Sequence, residues 1–217
     1  MKYGYFGDTG LKFSRIVLGT QTIGWSVDEA SAFEILDCYV ERGGNYLDLA
    51  DSYNNGASES ITGAWLKKEN TRNKVILGTK VFFPTDKGPN DSGLSRTHIM
   101  SSVEKSLERL HTDYIDLYQV HCFDRKTSME NVVSTMDLLV QQGKIRSYGV
   151  SNYTPSNIVR SIMHARHFGK NALSSVQLEY SLLVRSPEWE LLPVCEEENL
   201  GVLAWSALGG GWLTGKY

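Results

Sequence analysis

Short apolar runs alternate with amphipathic stretches along the chain from residue 15 onward. The runs are mostly continuous in their hydrophobicity rather than alternating, which is typical of parallel strands that are covered by helices. Seven of them are predicted as strands, over residues 16–20, 46–50, 75–80, 115–121, 148–152, 175–180 and 201–207. The pattern therefore predicts a parallel β-sheet.

Between these runs, apolar residues recur at helical spacing. Six helices are predicted, over residues 27–42, 57–69, 95–111, 128–142, 154–168 and 186–199. Ser26 and Gly43 have the chemistry of a helix start and stop around the first of them. Thr154 is expected to cap the fifth helix, with Pro155 in its first turn, where the missing N–H costs nothing.

The alternation of strands and helices admits two closures, a doubly wound open sheet and a (β/α)8 barrel. Polar and reactive residues recur at the carboxyl ends of successive strands, namely Thr20, Asp48, Lys80, His121, Ser151, Asn152 and Tyr180. An open sheet places its ligand at one switch point, whereas a barrel collects all its strand ends around one mouth. The expected fold is therefore a single α/β domain over residues 1–217, a (β/α)8 TIM barrel.

The two ends of the chain modify this picture. Residues 2–6 and 11–14 flank a Gly-Asp-Thr-Gly turn and are expected to form an N-terminal β-hairpin. A (β/α)8 barrel takes about 250 residues, but the chain has 217 and shows seven barrel strands. We therefore expect an incomplete barrel, truncated before its eighth strand.

Composition narrows the function classes. The chain carries 22 Lys and Arg against 25 Asp and Glu, a balance that argues against nucleic-acid and membrane-surface binding. No apolar run approaches the roughly 20 residues of a membrane helix. Three widely spaced cysteines, Cys38, Cys122 and Cys195, predict neither disulfides nor a metal cluster. We expect a cytoplasmic protein without metal, nucleic-acid or membrane partners, and leave self-association into a homo-oligomer open.

Four residues form a chemically coherent set: Asp48, Lys80 and His121 at strand ends, and Tyr53 in the loop after Asp48. A phenol has a pKa of about 10, which is too high for efficient proton exchange at neutral pH. A neighbouring ammonium lowers that pKa, and a carboxylate holds the ammonium charged. His121 is suited to hydrogen-bond a carbonyl oxygen as negative charge builds there. Each residue alone is more often a solvated or packing residue, but together they predict acid–base catalysis.

Several segments resemble the aldo-keto reductase family, and the resemblance runs along essentially the whole chain. Residues 48–59 are similar to the family's D-T-A-D-x-Y-x-x-G-x-S-E loop, and Thr79-Lys80 to its third-strand T-K. Further similar segments are residues 93–96, 106–110, 113–121, 143–146 and 149–152. Leu49 stands where the family commonly has Thr, and we expect that difference to be neutral.

The resemblance implies an oxidoreductase that transfers a hydride from NADPH to an aldehyde or ketone carbonyl. Asp48, Tyr53, Lys80 and His121 would be its catalytic residues, with Tyr53 as the proton donor. The implied cofactor contacts are Thr20, Gln21, Asp48, Ser151, Asn152, Gln177, Trp205, Ser206, Ala207, Leu208, Gly209, Gly210 and Lys216. Of these, Trp205 would stack on the nicotinamide, and the glycine-rich segment with Lys216 would contact the pyrophosphate. NADH stays open, because the site for the 2′-phosphate of NADPH would lie beyond residue 217.

Other functions have weaker support. Residues 93–96 and 215–217 also look like the potassium-channel β subunits of the same superfamily, so a cofactor-binding regulatory subunit is the alternative; His121 favours an enzyme. A cofactor-free structural barrel is a third class. Residues 210–216 match G-x-x-x-x-G-K, but Tyr217 stands where a P-loop needs Ser or Thr.

Two further features do not identify a substrate or a ligand. His164 and His167 are expected to lie on a solvated helix face rather than to bind a metal. Trp25 is equally consistent with a substrate-pocket wall and with a cap on the barrel rim. The substrate itself is not predicted.

Overall fold

The computed structural model describes residues 1–217. It opens with an antiparallel hairpin of β1 (Tyr3–Tyr5) and β2 (Lys12–Ser14), as the sequence predicts. The ring of Phe13 stacks between those of Phe6 and Tyr46, with centroids 4.0 and 4.6 Å away. Because Tyr46 begins a strand of the main sheet, this aromatic stack joins the hairpin to the end of the sheet that is opposite the strand carboxyl ends.

The rest of the chain alternates strands and helices. The strands are β3 (Leu18–Gly19), β4 (Tyr46–Asp48), β5 (Ile76–Val81), β6 (Ile115–Val120), β7 (Ile145–Ser151), β8 (Ser175–Glu179) and β9 (Gly201–Trp205). The helices are α1 (Glu29–Glu41), α2 (Ala57–Glu69), α3 (Arg96–Leu110), α4 (Met129–Gln141), α5 (Pro155–His167) and α6 (Leu191–Glu197). Short 3-10 turns occupy Tyr53–Gly56, Arg72–Lys74, Ser186–Glu188 and Gly209–Thr214.

The seven main strands form one parallel sheet in sequential order, from β3 to β9. A doubly wound sheet would reverse its strand order at a switch point, and no reversal occurs. The sheet curls so that residues of β4 and β9 line one cavity, which confirms the prediction of an incomplete (β/α)8 barrel. β3 and β9 are its two edges. None of the helices is long and apolar enough to cross a membrane.

Helix capping agrees with the sequence at α5 and differs at α1. Thr154 caps α5, and Pro155 occupies its first turn. The predicted start of α1 after Ser26 is wrong, because Asp28 is the cap and accepts a hydrogen bond from the Ser31 amide at 2.9 Å. Val27 instead forms an isolated bridge with Ile23, so that the chain is still extended there.

The predicted helix over 186–199 is also wrong in extent. The structure has a 3-10 turn at Ser186–Glu188 and then the short helix α6. Pro193 lies in the first turn of α6, where its ring is tolerated, but it would clash with the carbonyl of residue 189 in a longer helix. The proline therefore fixes the helix start near Leu191.

The first strand is shorter than the predicted 16–20, since only Leu18 and Gly19 pair with β4. β3 has a single neighbour, and an edge strand receives ladder hydrogen bonds from one side alone. The chain nevertheless stays aligned at its end, because the Thr20 amide donates to the Asp48 carbonyl at 3.1 Å. Thr20 therefore reaches the carboxyl edge of the sheet beside Asp48.

Candidate active site

Three neighbouring strands bring the four predicted catalytic residues together. Asp48 ends β4, Lys80 lies in β5, and His121 directly follows β6. The Lys80 ammonium donates to Asp48 Oδ2 at 2.7 Å and to the Tyr53 hydroxyl at 3.2 Å. A third bond, to the Leu49 carbonyl at 2.7 Å, uses its remaining proton. The Lys80 side chain is thus fixed between a carboxylate and a phenol.

Lys80 is fully buried, which disfavours its charged form. Burial alone would lower its pKa, but the negative charge of Asp48, together with Tyr53, outweighs burial and raises the pKa of Lys80 above its usual range. The group therefore stays an ammonium at neutral pH. An ammonium 3.2 Å from the Tyr53 oxygen stabilises a phenolate at that position.

His121 lies beside Tyr53, with ring centroids 5.9 Å apart in an edge-on arrangement. Burial, and then the charge of Lys80, lowers the pKa of His121 to about 3. The imidazole is therefore neutral at physiological pH and offers one N–H as a hydrogen-bond donor. Its Nδ1 is buried without a partner in the chain.

The backbone around Tyr53 is shaped by three consecutive left-handed residues, Asn54, Asn55 and Gly56, with φ of 51°, 54° and 86°. Asparagine and glycine adopt this conformation more readily than other residues. The Asn54 side chain also donates to the carbonyls of Gln21 and Ile23, at 2.9 and 2.6 Å. The turn that carries Tyr53 is thereby bound to the loop that follows β3.

A cavity of about 490 Å³ opens in front of Tyr53. Eight of the predicted site residues line it: Gln21, Asp48, Tyr53, His121, Ser151, Asn152, Gln177 and Trp205. Trp25 and Phe83 also line the cavity, and both are exposed, so that Trp25 lies at the open mouth of the cavity. Lys80 lies behind Tyr53 and Asp48 and does not reach the cavity surface.

A second groove, of about 1030 Å³, runs between the sheet edges β3 and β9. It shares Gln21, Asp48, Tyr53, Gln177 and Trp205 with the first cavity, and it adds Thr20, Ser206 and Ala207 from the predicted set. The remaining predicted contacts, Leu208, Gly209, Gly210 and Lys216, line neither space. They belong to or flank the exposed turn Gly209–Thr214.

Three side chains on one side of the cavity suit a planar amide ligand. Ser151 ends β7, Asn152 follows it with a φ of 58°, and Gln177 lies in β8. The Asn152 amide donates to the His121 carbonyl at 3.0 Å and to Ser151 Oγ at 3.1 Å, which fixes its orientation. A hydroxyl and two amides beside the indole of Trp205 therefore match the carboxamide and ring of a nicotinamide in chemistry.

Four residues at the site were not predicted from the sequence, and two of them, Ser52 and Asn54, line the cavity on either side of Tyr53 in the chain. Gln119 donates to Asp48 Oδ1 at 3.3 Å, and Phe83 meets His121 edge-on at 4.9 Å between ring centroids. Strand periodicity could have predicted Gln119, because it precedes His121 by two positions and so lies on the same face of β6. Phe83 lies in a loop, where strand periodicity gives no information.

The remaining histidine prediction concerns His164 and His167 of α5. Both rings pack against Phe168, with centroids 4.7 Å away in each case. No group of three His, Cys, Asp or Glu side chains in the chain forms an arrangement that could hold a metal ion.

Sequence comparisons agree with this geometry. The sequence profile of the Aldo/keto reductase family matches residues 15–217. The uncharacterized oxidoreductase YrpG of Bacillus subtilis is 41% identical over the whole chain, which spans 69% of YrpG. Norsolorinic acid reductase of Aspergillus flavus is 35% identical over 93% of the chain, and an aryl-alcohol dehydrogenase of Pestalotiopsis microspora is 32% identical over 93%. The chain spans little more than half of these two fungal proteins, 55% and 56% of their lengths.

Proposed function

The chain belongs to the aldo/keto reductase family, and from that premise we propose that it reduces an aldehyde or ketone carbonyl with NADPH, using Tyr53 as the proton donor. The observation that supports this most is the buried Lys80 ammonium, held between Asp48 at 2.7 Å and the Tyr53 hydroxyl at 3.2 Å. The hydroxyl faces a cavity large enough for a small carbonyl compound.

Tyr53 transfers its proton to the carbonyl oxygen as the carbonyl carbon gains a hydride. The C=O double bond becomes a C–O single bond, and the tyrosine is left as a phenolate. Lys80 lowers the free energy of that phenolate, and Asp48 keeps Lys80 charged. Solvent then returns a proton to Tyr53. General acid catalysis of this kind contributes about 10²–10⁴-fold to a rate.

His121 orients the substrate in this proposal. Because its ring is neutral, it donates one hydrogen bond to the carbonyl oxygen and does not compete with Tyr53 as an acid. A neutral donor next to Lys80 also avoids placing two positive charges side by side. The edge-on contact with Phe83, at 4.9 Å between ring centroids, restricts the orientation of the imidazole ring.

Ser151, Asn152 and Gln177 would hold the carboxamide of the cofactor, and Trp205 would stack on its ring. The reduced nicotinamide supplies the hydride when it is bound. Thr20, Ser206 and Ala207 lie at the carboxyl end of the groove between β3 and β9, and they would contact the remainder of the dinucleotide at the mouth of the barrel.

The aromatic walls of the cavity favour an aromatic carbonyl compound as the test substrate. Trp25 and Phe83 present ring faces and edges on which a planar substrate can stack, at about 0.5–1.5 kcal/mol per pair. An activated aromatic aldehyde is therefore expected to be reduced faster than a short aliphatic aldehyde of similar reactivity.

Tryptophan fluorescence and the cofactor's long-wavelength absorbance test the proposal together. Titration with NADPH is expected to quench the emission of the chain, and addition of an aromatic aldehyde is expected to consume the cofactor. Trp205→Phe should lose a large part of the quenching, because Trp205 lines both the cavity and the groove.

Trp189→Phe is the matched control, since Trp189 is 84% exposed and lines neither space. Cofactor binding without turnover on any carbonyl compound of a broad panel would contradict the proposed reaction and favour a regulatory subunit. Absence of quenching would instead contradict cofactor binding itself.

A further inference from the structure

A second group of ionisable residues lies behind the candidate active site, and the proposed reaction does not use it. Glu59 of α2 is fully buried and accepts hydrogen bonds from Thr79 of β5 at 2.6 Å and from Arg109 of α3 at 2.7 Å. A second Arg109 nitrogen approaches the same Glu59 oxygen at 2.6 Å. The charge of Glu59 is therefore matched by one arginine between the sheet and the helices.

Asp51 brings a second carboxyl group to this pair. It is fully buried, and neither of its side-chain oxygens has a hydrogen-bond partner in the chain. The Ser52 amide is near it but does not meet hydrogen-bond geometry. Since Arg109 is already bonded to Glu59, an ionised Asp51 would be a buried charge without a partner of its own. Burying such a charge is strongly unfavourable, so the group is expected to be protonated instead.

Every charged neighbour of Asp51 can be assigned to a packed element. Burial and the negative charge of Glu59 raise the pKa of Asp51 to about 8, against the weaker opposing effects of Arg109, the Ser52 amide and Lys80. Tyr118 of β6 is also fully buried with an unpaired hydroxyl, and the charge of Asp51 contributes to raising its pKa. The acid is thus surrounded on the α2, α3, β5 and β6 sides.

The backbone of Asp51 lies in the segment that leads from Asp48 to Tyr53. Its amide donates to the Lys80 carbonyl at 3.1 Å, and the Leu49 amide donates to the Gly78 carbonyl at 2.8 Å. The backbone of Asp51 is therefore bonded to the strand that carries Lys80, and its buried side chain belongs to the segment that leads to Tyr53.

We propose that Asp51 is a positioning residue for the proton donor: as an uncharged acid it stays buried and so keeps the loop that carries Tyr53 packed on the sheet, and it loosens that loop when it ionises. This inference rests on the proposed function only where it concerns the proton donor. Its physical basis is that an ionised Asp51 is repelled by Glu59 and is drawn towards water.

Stability gives a readout that is independent of activity. The pKa of Asp51 is higher in the folded chain than the value of about 3.9 expected in the unfolded chain. Between about pH 4 and pH 8 the folded state therefore holds more protons, and its stability falls as the pH rises through that window. Asp51→Asn cannot ionise and should escape this loss.

The experiment compares the wild-type chain with Asp51→Asn and Asp51→Ala. As the pH rises from 5 to 8, the melting temperature of the wild type should fall relative to that of Asp51→Asn. The difference between the two is expected to change by about 5 °C or more in favour of Asp51→Asn. Carbon-13 NMR of the aspartate carboxyl groups should show one resonance that titrates near pH 8. This resonance should be absent from the spectrum of Asp51→Asn. Asp137→Asn is the matched control, because Asp137 is also buried but is hydrogen-bonded by Asn171 and Gln141, away from the site; the resonance near pH 8 should remain in this variant.

Kinetics then separate positioning from simple structure. At pH 7, Asp51→Asn should keep kcat within about 3-fold of the wild type, and its alkaline loss of kcat should lie about one pH unit or more higher. Asp51→Ala should lower kcat about 10-fold or more, with the Kd of NADPH unchanged, since Asp51 lines neither cavity.

The inference would be overturned if every aspartate carboxyl resonance titrated below pH 5. It would also be overturned if Asp51→Asn had the same pH dependence of melting temperature and of kcat as the wild type. Absence of turnover in the wild type would count against the proposed reaction alone, because melting and carboxyl titration still report on Asp51. If Asp51→Ala does not fold, the comparison of Asp51→Asn with Asp137→Asn decides.

Discussion

Tyr53→Phe is expected to lower turnover by about 100-fold or more while the Kd of NADPH stays unchanged. The substitution keeps the ring, and with it the edge-on contact to His121, but it removes the hydroxyl that Lys80 contacts at 3.2 Å. Without that proton donor, the oxygen of the substrate must take its proton from water. Loss of a positioned general acid costs about 10²–10⁴-fold in rate.

Steady-state kinetics with an aromatic aldehyde and fluorescence titration with NADPH measure the two quantities separately. Tyr114→Phe is the matched control, because Tyr114 lies at the opposite end of the sheet from the cavity and its hydroxyl makes no hydrogen bond in the chain. Tyr53→Phe with wild-type turnover would remove Tyr53 from the mechanism. Loss of cofactor binding together with turnover would mean that the ring itself had moved.

Lys80→Met is expected to lower both turnover and stability. Methionine has a similar length but no charge, so Tyr53 loses the ammonium that stabilises its phenolate and Asp48 loses its ion-pair partner at 2.7 Å. Removing one partner of a buried ion pair costs about 3–5 kcal/mol in the free energy of unfolding. Turnover should fall about 100-fold or more, on the scale of acid–base catalysis.

The pH dependence of this stabilisation has a definite sign. The folded-state pKa of Lys80 is raised above its usual range. The contribution of its charge to stability is therefore complete at pH 7, and it is lost only when the pH rises above the pKa of free lysine, about 10.4. The stability deficit of Lys80→Met should therefore be constant between pH 7 and pH 9 in urea denaturation.

A double variant distinguishes the two effects of Lys80→Met. Asp48→Asn in the Lys80→Met background removes the stranded carboxylate, and it should recover part of the stability but none of the turnover. Lys67→Met, on the exposed face of α2, is the matched control and should change neither quantity. A Lys80→Met chain that is as stable and as active as the wild type would contradict the role given to the buried ammonium.

The sequence predicts the architecture because parallel strands and their covering helices each leave a periodic signal. The sequence alone predicts that the strand ends at Asp48, Lys80 and His121 lie on one rim, since all strands of a barrel run in the same direction. The structure does bring these side chains together with Tyr53. Their catalytic roles remain predictions.

What the sequence does not predict depends on contacts between segments that are distant along the chain. The sequence places Asp51 only within the similar segment 48–59, and its burial follows from the way α2 and α3 pack on β5 and β6. Phe83 likewise acquires its position against His121 from the path of a loop. Both residues lie in loops, where no helical or strand periodicity predicts which way a side chain faces.

The helix over 186–199 was overestimated for a different reason. Its apolar spacing is helical, but the ring of Pro193 prevents the first half from joining the second. Similarly, Ser26 and Asp28 are both favourable caps for α1, and the bridge between Ile23 and Val27 keeps the chain extended up to Asp28. Boundaries of this kind are set by steric exclusion and by pairing between residues a few positions apart.

The most direct test of the proposed reaction follows the hydride itself. An aromatic aldehyde is reduced by the chain with NADPH in which both hydrogens at C4 of the nicotinamide ring are replaced by deuterium. The alcohol is then analysed by mass spectrometry. The account predicts one deuterium on the carbinol carbon for every alcohol formed, and the same labelling at a much lower rate with Tyr53→Phe. Alcohol without deuterium, or no alcohol from a chain that binds the cofactor, would contradict hydride transfer at this site.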